Sequence, residues 1–341
     1  MRSLQSIALL ILSAVILNSC DSRPFSRPDT SGIDYEVTLT PIYKEVFAKR
    51  DETIHDKVER LSQAYPGYFD DYCMRELRLG SREDMLFEQR LAEFLQYGDN
   101  NEVVAACDTM WDDHSGRIAK ELTDAFRCMK ALIPDVVLPE TIYAHISGFN
   151  SKMFMDSSYI SVSWEHYLGA DCRFYQWLDI PMYARQTRHW QSVCPDVIRA
   201  WLYGLYPNEG EKDDILTHII YQGRILYALW RVMPELSEAV VMGYNERQLE
   251  WCQKCESMMW GYMAEQELLY STKPMDRAKL INDAPFVAYF GQQSPGRAPL
   301  YCGLHIVMQY MERNPSTTLD ALLRMRDAQK LLVASGYQPK W

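Results

Sequence analysis

The sequence predicts an α+β fold, predominantly α-helical, with a small β-sheet at roughly residues 135–168. Two patterns predict it. Apolar residues recur at spacings of three and four through most of the chain, as at Ile118, Leu122, Ala125, Phe126 and Met129, the stripe that one helix face buries. In one central stretch the period drops to two.

Taken in order, the helical pattern covers 53–65, 82–97, 101–111 and 117–133, punctuated by Pro66-Gly67 and Gly80-Ser81. Past Pro134 the residues 141–146 and 159–164 alternate and are rich in Ile, Val, Tyr and Ser, so they read as paired strands joined by a loop around Gly148-Phe149-Asn150. Helices return after Pro181 at 195–206, 212–232, 246–270, 303–312 and 319–332, where Trp201, Trp230, Trp251 and Trp260 supply an aromatic-rich core. No Pro/Gly/Ser-rich linker interrupts the body, so residues 34–341 are expected to form a single domain.

Composition narrows the function classes. With 48% hydrophobic residues in 341, the chain can bury a large core, which excludes a disordered protein. A net charge of −11 provides no broad cationic field for a phosphate backbone, so nucleic acid is not an expected partner.

The N-terminus is read as an address and an anchor. Arg2 precedes the apolar run Ile7 to Leu17, which spans only about 16 Å as a helix and is too short to cross a bilayer of about 30 Å. Leu17-Asn18-Ser19-Cys20 resembles the bacterial lipobox, so residues 1–19 read as a lipoprotein signal peptide and Cys20 as the acylated first residue of the mature chain. Residues 20–33 then form a polar, Pro-containing tether. Eight thiols remain besides Cys20, an even number that permits disulfides and specifies no pairing.

The chemical motifs are incomplete. No HExxH zinc-protease helix occurs; the nearest arrangement is His218 with Gln222 one turn later, and Ile219 stands where a general base belongs. Cys252-x-x-Cys255 and Cys302-x-x-His305 have ligand spacing on helices, yet small apolar-like cysteines in helix cores give the same pattern. Gly291 to Arg297 has the glycine spacing of a phosphate loop but lacks its Lys and Ser/Thr, since Ala298 follows Arg297. Arg297, with Ser294 and Gly296 beside it, is the cation best placed for an anion or partner contact near a helix start. Asp112-Asp113-His114 and Glu165-His166 are acid–His pairs that read as solvated turns or strand ends. No cofactor is expected.

An ordered chain of motifs is more specific than any of these. Cys20, Glu121-Leu-Thr-Asp-Ala-Phe126, Pro139 to Phe149, His166-Tyr-Leu-Gly169, Ile219 to Tyr227, Gly243-Tyr-Asn-Glu246, Leu269 to Thr272, Ala284-Pro-Phe286, Ser294-Pro-Gly-Arg297 and Asp327-Ala-Gln329 together resemble the gliding-motility lipoprotein GldB family of Bacteroidetes. The resemblance runs from about residue 40 to the C-terminus. Leu304, His305 and Cys255 depart from the family pattern, which puts a zinc site using them in doubt. The family is also similar to predicted zinc proteases in its helix-after-sheet layout, which implies a degenerate zincin-like scaffold with His218 and Gln222 as the remnant of its metal helix.

For function, the resemblance implies a membrane-anchored envelope lipoprotein with its body extracytoplasmic, in the periplasm. It would be a non-enzymatic accessory of the gliding or associated secretion machinery, with the membrane and envelope proteins as partners. Two alternatives stand beside it: a zincin-like hydrolase with an irregular ligand set around His218 and Glu256 or Glu265, and a peptide- or small-ligand-binding lipoprotein with Arg297 at the mouth of a cleft.

Overall fold

The computed structural model describes residues 24–339; the stretch read as a signal peptide, and Cys20, lie outside them. Helix dominates, with one four-stranded mixed sheet, as the two periodicities require. The sheet order is β1 (Thr38–Thr40), β2 (Thr141–His145), β4 (Tyr159–Ser163) and β3 (Met153–Met155).

The two strands anticipated from the alternation pair in parallel, with Thr141 opposite Tyr159 and His145 opposite Ser163. Parallel neighbours need a crossover, and the intervening chain supplies one. It runs out to the sheet edge, forms β3 and returns antiparallel against β4. The period of two assigns the faces: Ile142, Ala144, Ile160 and Val162 join the main helical core, while Tyr143 and Tyr159 face a smaller cluster built on Ile42, Leu61, Phe69 and Leu91.

All five residues of β4 are buried, including two serines, and hydrogen bonds offset their desolvation. Ser161 Oγ bonds Tyr68 Oη at 2.8 Å and His145 Nδ1 at 2.7 Å. Ser163 Oγ bonds Ser147 Oγ at 2.7 Å, and Ser147 donates from both N and Oγ to Glu165.

Helices α1 (Ile54–Ala64) and α2 (Phe87–Gln96) lie within the smaller cluster, and α1 starts on a Thr53/Asp56 capping box. The next helix, α3 (Asn100–Leu132), runs unbroken through the polar stretch at 112–116 where two helices were expected. Its continuity has a tertiary cause: Trp111 packs on Trp164, His114 stacks on Trp190 at 4.3 Å, and Arg117 lies over that same ring.

After the sheet come α4 (Val193–Leu205) and α5 (Ile215–Val232). The latter is apolar nearly all round and therefore central. It is capped by Asp214, which accepts from Thr217 N at 2.9 Å. Helix α6 (Glu246–Glu265) ends earlier than expected, at a left-handed Glu267 and a 3₁₀ turn. Across α5 lies α7 (Pro299–Arg313), and two glycines set the crossing: a Cβ on Gly223 would stand 2.3 Å from the Gly303 carbonyl oxygen, and one on Gly303 would stand 2.2 Å from that of Ile219. The C-terminal segment splits into a short helix, Leu319–Leu323, and α8 (Ala328–Ser335). Buried Arg224 causes the break by donating from Nη1 to the Leu323 and Met325 carbonyls.

Candidate functional site

A cleft of about 170 Å³, smaller than several other surface hollows but lined by three cations, lies where the sheet half meets the C-terminal helices. Lys152 reaches it from just before β3, Thr187 and Arg188 from the segment after the short helix Met182–Arg185, Gly243 and Tyr244 from the turn before α6, and Gly296 and Arg297 from the turn before α7.

Arg297 is a non-glycine residue in the left-handed region, at φ +60°. Its guanidinium donates from Nε to Asp283 at 2.9 Å and approaches the Met242 carbonyl oxygen at 3.4 Å. Gly296 is obligatory here, because a Cβ would stand 2.0 Å from the Ala284 carbonyl oxygen. Buried Ser294 closes the turn, accepting from Val287 N at 3.0 Å and donating to the Gly291 carbonyl at 2.7 Å. Ser294, Gly296 and Arg297 thus lie in one turn, and Gly296 and Arg297 line the cleft.

The opposite wall was missed. Arg188 donates to His166 Nδ1, and its Nε is buried with no hydrogen-bond partner among the described residues. Burial, with Arg188 and Lys152 adding to it, pushes His166 down to about 3, so the imidazole is neutral and accepts that bond. Its neighbour Glu165 is wholly enclosed, and burial holds its carboxyl above the usual range. The pair read as a solvated strand end is a buried polar unit; Asp112-Asp113-His114, read as a turn, lies inside α3. Lys152 approaches Asp196 at 3.3 Å, and Asp196 also accepts from Arg199 at 2.8 Å and Tyr167 Oη at 3.0 Å. Burial opposes ionisation of Asp196, but Lys152 and Arg199 hold it below the usual carboxylate range.

The other sequence candidates separate. His218 Nε2 meets Asp213 at 2.6 Å and Arg277 at 3.1 Å, while Gln222 accepts from Tyr203 Oη at 2.5 Å, so the two side chains do not converge on one point. Glu256, one of the carboxylates expected near His218, instead meets His305 Nδ1 at 2.9 Å and accepts from Tyr337 Oη at 2.7 Å. His305 Nε2 meets Glu238 at 3.0 Å, so both ring nitrogens carry protons toward carboxylates. Cys252 and Cys302 are fully buried and Cys255 is half-buried. Burial pushes the Cys302 thiol up to about 12, away from the thiolate a metal needs. Among the described residues, no three His, Cys, Asp or Glu side chains are grouped to hold a metal ion, and all eight described cysteines are free thiols.

The molecule is thus a mainly helical α+β body with a basic cleft and no helix long and apolar enough to cross a membrane among the described residues. The chain belongs to the family of gliding motility protein GldB, whose family model matches residues 25–339, and it is accordingly a gliding-motility-associated lipoprotein. No curated protein and no solved structure matches it.

Proposed function

We propose that the chain is acylated at Cys20 and serves the gliding machinery, or the secretion apparatus associated with it, as a membrane-anchored, non-enzymatic interaction component with an extracytoplasmic body. The observation that carries this reading is the seat of Phe25. Its ring meets Tyr227 and Trp230 edge-on at 5.4 and 5.6 Å and lies under the Arg231 guanidinium. Two residues on, Arg27 pairs with Glu235 at 3.0 Å.

The stretch read as a tether is therefore already docked from Phe25 onward, five residues after Cys20. Five residues reach at most about 18 Å. That leash holds the C-terminal end of α5 close to the bilayer. An acidic body gains nothing from an anionic membrane surface, so the lipid has to supply the attachment, and multiple acyl chains supply it stably.

The test is clickable fatty-acid labelling with membrane fractionation and in-cell crosslinking. The wild type is expected to label, to sediment with membranes and to crosslink to a component of the motility or secretion machinery, and Cys20→Ala to lose all three. A Cys20→Ala protein that labels and sediments like the wild type would overturn the anchor.

A further inference from the structure

The basic cleft has a charge opposite to that of the protein bearing it. Its lining carries Lys152, Arg188 and Arg297 against Asp283, a surplus of two positive charges on a chain of net −11. Concave walls of low polarisability concentrate such a field.

We infer that this cleft is a binding site for a phosphate group. Arg188 is the main reason. Among the described residues it has no carboxylate within 4 Å, its Nη1 faces a neutral imidazole, and its Nε is buried without an acceptor. A guanidinium that lines an open cleft with no carboxylate beside it asks for an oxyanion there. The group is also held in place, with its plane over Tyr175 at 5.3 Å and its Nη1 fixed on His166. Arg297, opposite, is tied to Asp283, which is four-fifths exposed; a surface pair of that kind exchanges readily for a better acceptor.

Geometry and size select phosphate over a simple carboxylate. The cations reach the cleft from three separate segments, before β3, after Met182–Arg185 and before α7, and an anion with several oxygens can engage more of them than a planar carboxylate. The surplus of two charges matches a dianion. At a liquid share of about 30 Å³ per water, the cleft of about 170 Å³ holds the equivalent of five or six waters, enough for the phosphate and little else; anything attached to it must extend through the open side. Leu178 and Met182, both exposed, lie just upstream of the cleft-lining Tyr183, so the phosphate of a lipid headgroup and free phosphate are both admitted.

The experiment is calorimetric titration of the full-length protein in neutral detergent micelles with inorganic phosphate and, separately, with succinate, at two salt concentrations. Phosphate is expected to bind more tightly than succinate and to weaken with salt. Arg188→Gln, which keeps a donor for His166, should weaken phosphate about tenfold or more. Asp283→Asn removes the competing carboxylate at an exposed position and should tighten it several-fold; Lys254→Gln, paired with Glu250 on α6 and not a lining residue of the cleft, should leave it unchanged.

Phosphatidic acid added to the micelles competes with phosphate if headgroups enter the cleft and leaves it undisturbed if only free phosphate does; both results support the site. No phosphate binding, tighter binding of succinate, or equal affinities for wild type, Arg188→Gln and Asp283→Asn would each overturn it. The inference stands apart from acylation, since a Cys20→Ala protein should bind phosphate like the wild type.

Discussion

The His305 cluster predicts a loss of stability on mild alkalinisation. Burial alone would lower the pKa of this histidine, but hydrogen bonds and charge from Glu238 and Glu256 outweigh burial and raise it to about 9. Tyr301 packs against the ring at 4.1 Å, Tyr337 donates to Glu256, and Cys252 and Cys302 lie alongside as neutral thiols. The imidazolium is three-quarters buried, so solvent screens it only partly.

In the unfolded chain the histidine titrates near 6.5. Between that value and 9 the folded state binds the extra proton, so stability falls as pH rises through the window. The full shift corresponds to about 3 kcal/mol, of which about 1.5 kcal/mol disappears between pH 6.5 and pH 8, where unfolded thiols are still mostly protonated. Urea unfolding followed by tryptophan fluorescence at half-unit pH steps measures this directly. The wild type should lose stability over that interval, while His305→Gln, less stable throughout because two carboxylates then face each other, should lack that fall and show the slight rise contributed by His145 and His166, both buried neutral. A wild-type profile flat from pH 6.5 to 8 would refute the reasoning.

Three further outcomes follow from packing and acidity. Gly303→Ala forces α5 and α7 apart and should cost about 3 kcal/mol, read as a large fall in the urea midpoint with unchanged far-UV circular dichroism below it. Phe25→Ala removes the ring wedged between Tyr227 and Trp230 and should cost about 1–2 kcal/mol, with faster proteolytic trimming of residues preceding the first strand. Maleimide should label the native body only at half-buried Cys172 and Cys255, while Cys73, Cys107, Cys128, Cys194, Cys252 and Cys302, all enclosed and held as thiols by burial, react after unfolding; mass mapping distinguishes the two sets.

How far the sequence could be read depended on the range of the forces involved. Periodicity is local, so the alternation at Thr141–His145 and Tyr159–Ser163 and the stripes of α3, α5 and α7 were legible. The parallel pairing of β2 with β4 was not, because three-residue β3 is too short to show a period and its hairpin reverses the chain a second time. The continuity of α3 depends on Trp164 and Trp190, and the break after Leu323 on Arg224, all distant in sequence from the backbone they affect. The site divides in the same way. Ser294, Gly296 and Arg297 form one turn and were visible as a unit, whereas Arg188 and Lys152 belong to no motif and acquire meaning only when the sheet half meets the C-terminal half.

The neutrality of His166 explains why the cleft keeps its charge. A carboxylate at that position would pair with Arg188 and cancel it, as Asp196 is shared between Lys152 and Arg199. An imidazole buried beside two cations stays unprotonated and orients the guanidinium through a lone pair without neutralising it. Glu165, next in the chain, makes its hydrogen bonds through Oε1 to Ser147 N, Ser147 Oγ and Phe149 N and forms no ion pair with Arg188 among the described residues. The buried acid thus fixes the loop after β2, the buried base positions the arginine, and the uncompensated charge faces the cleft.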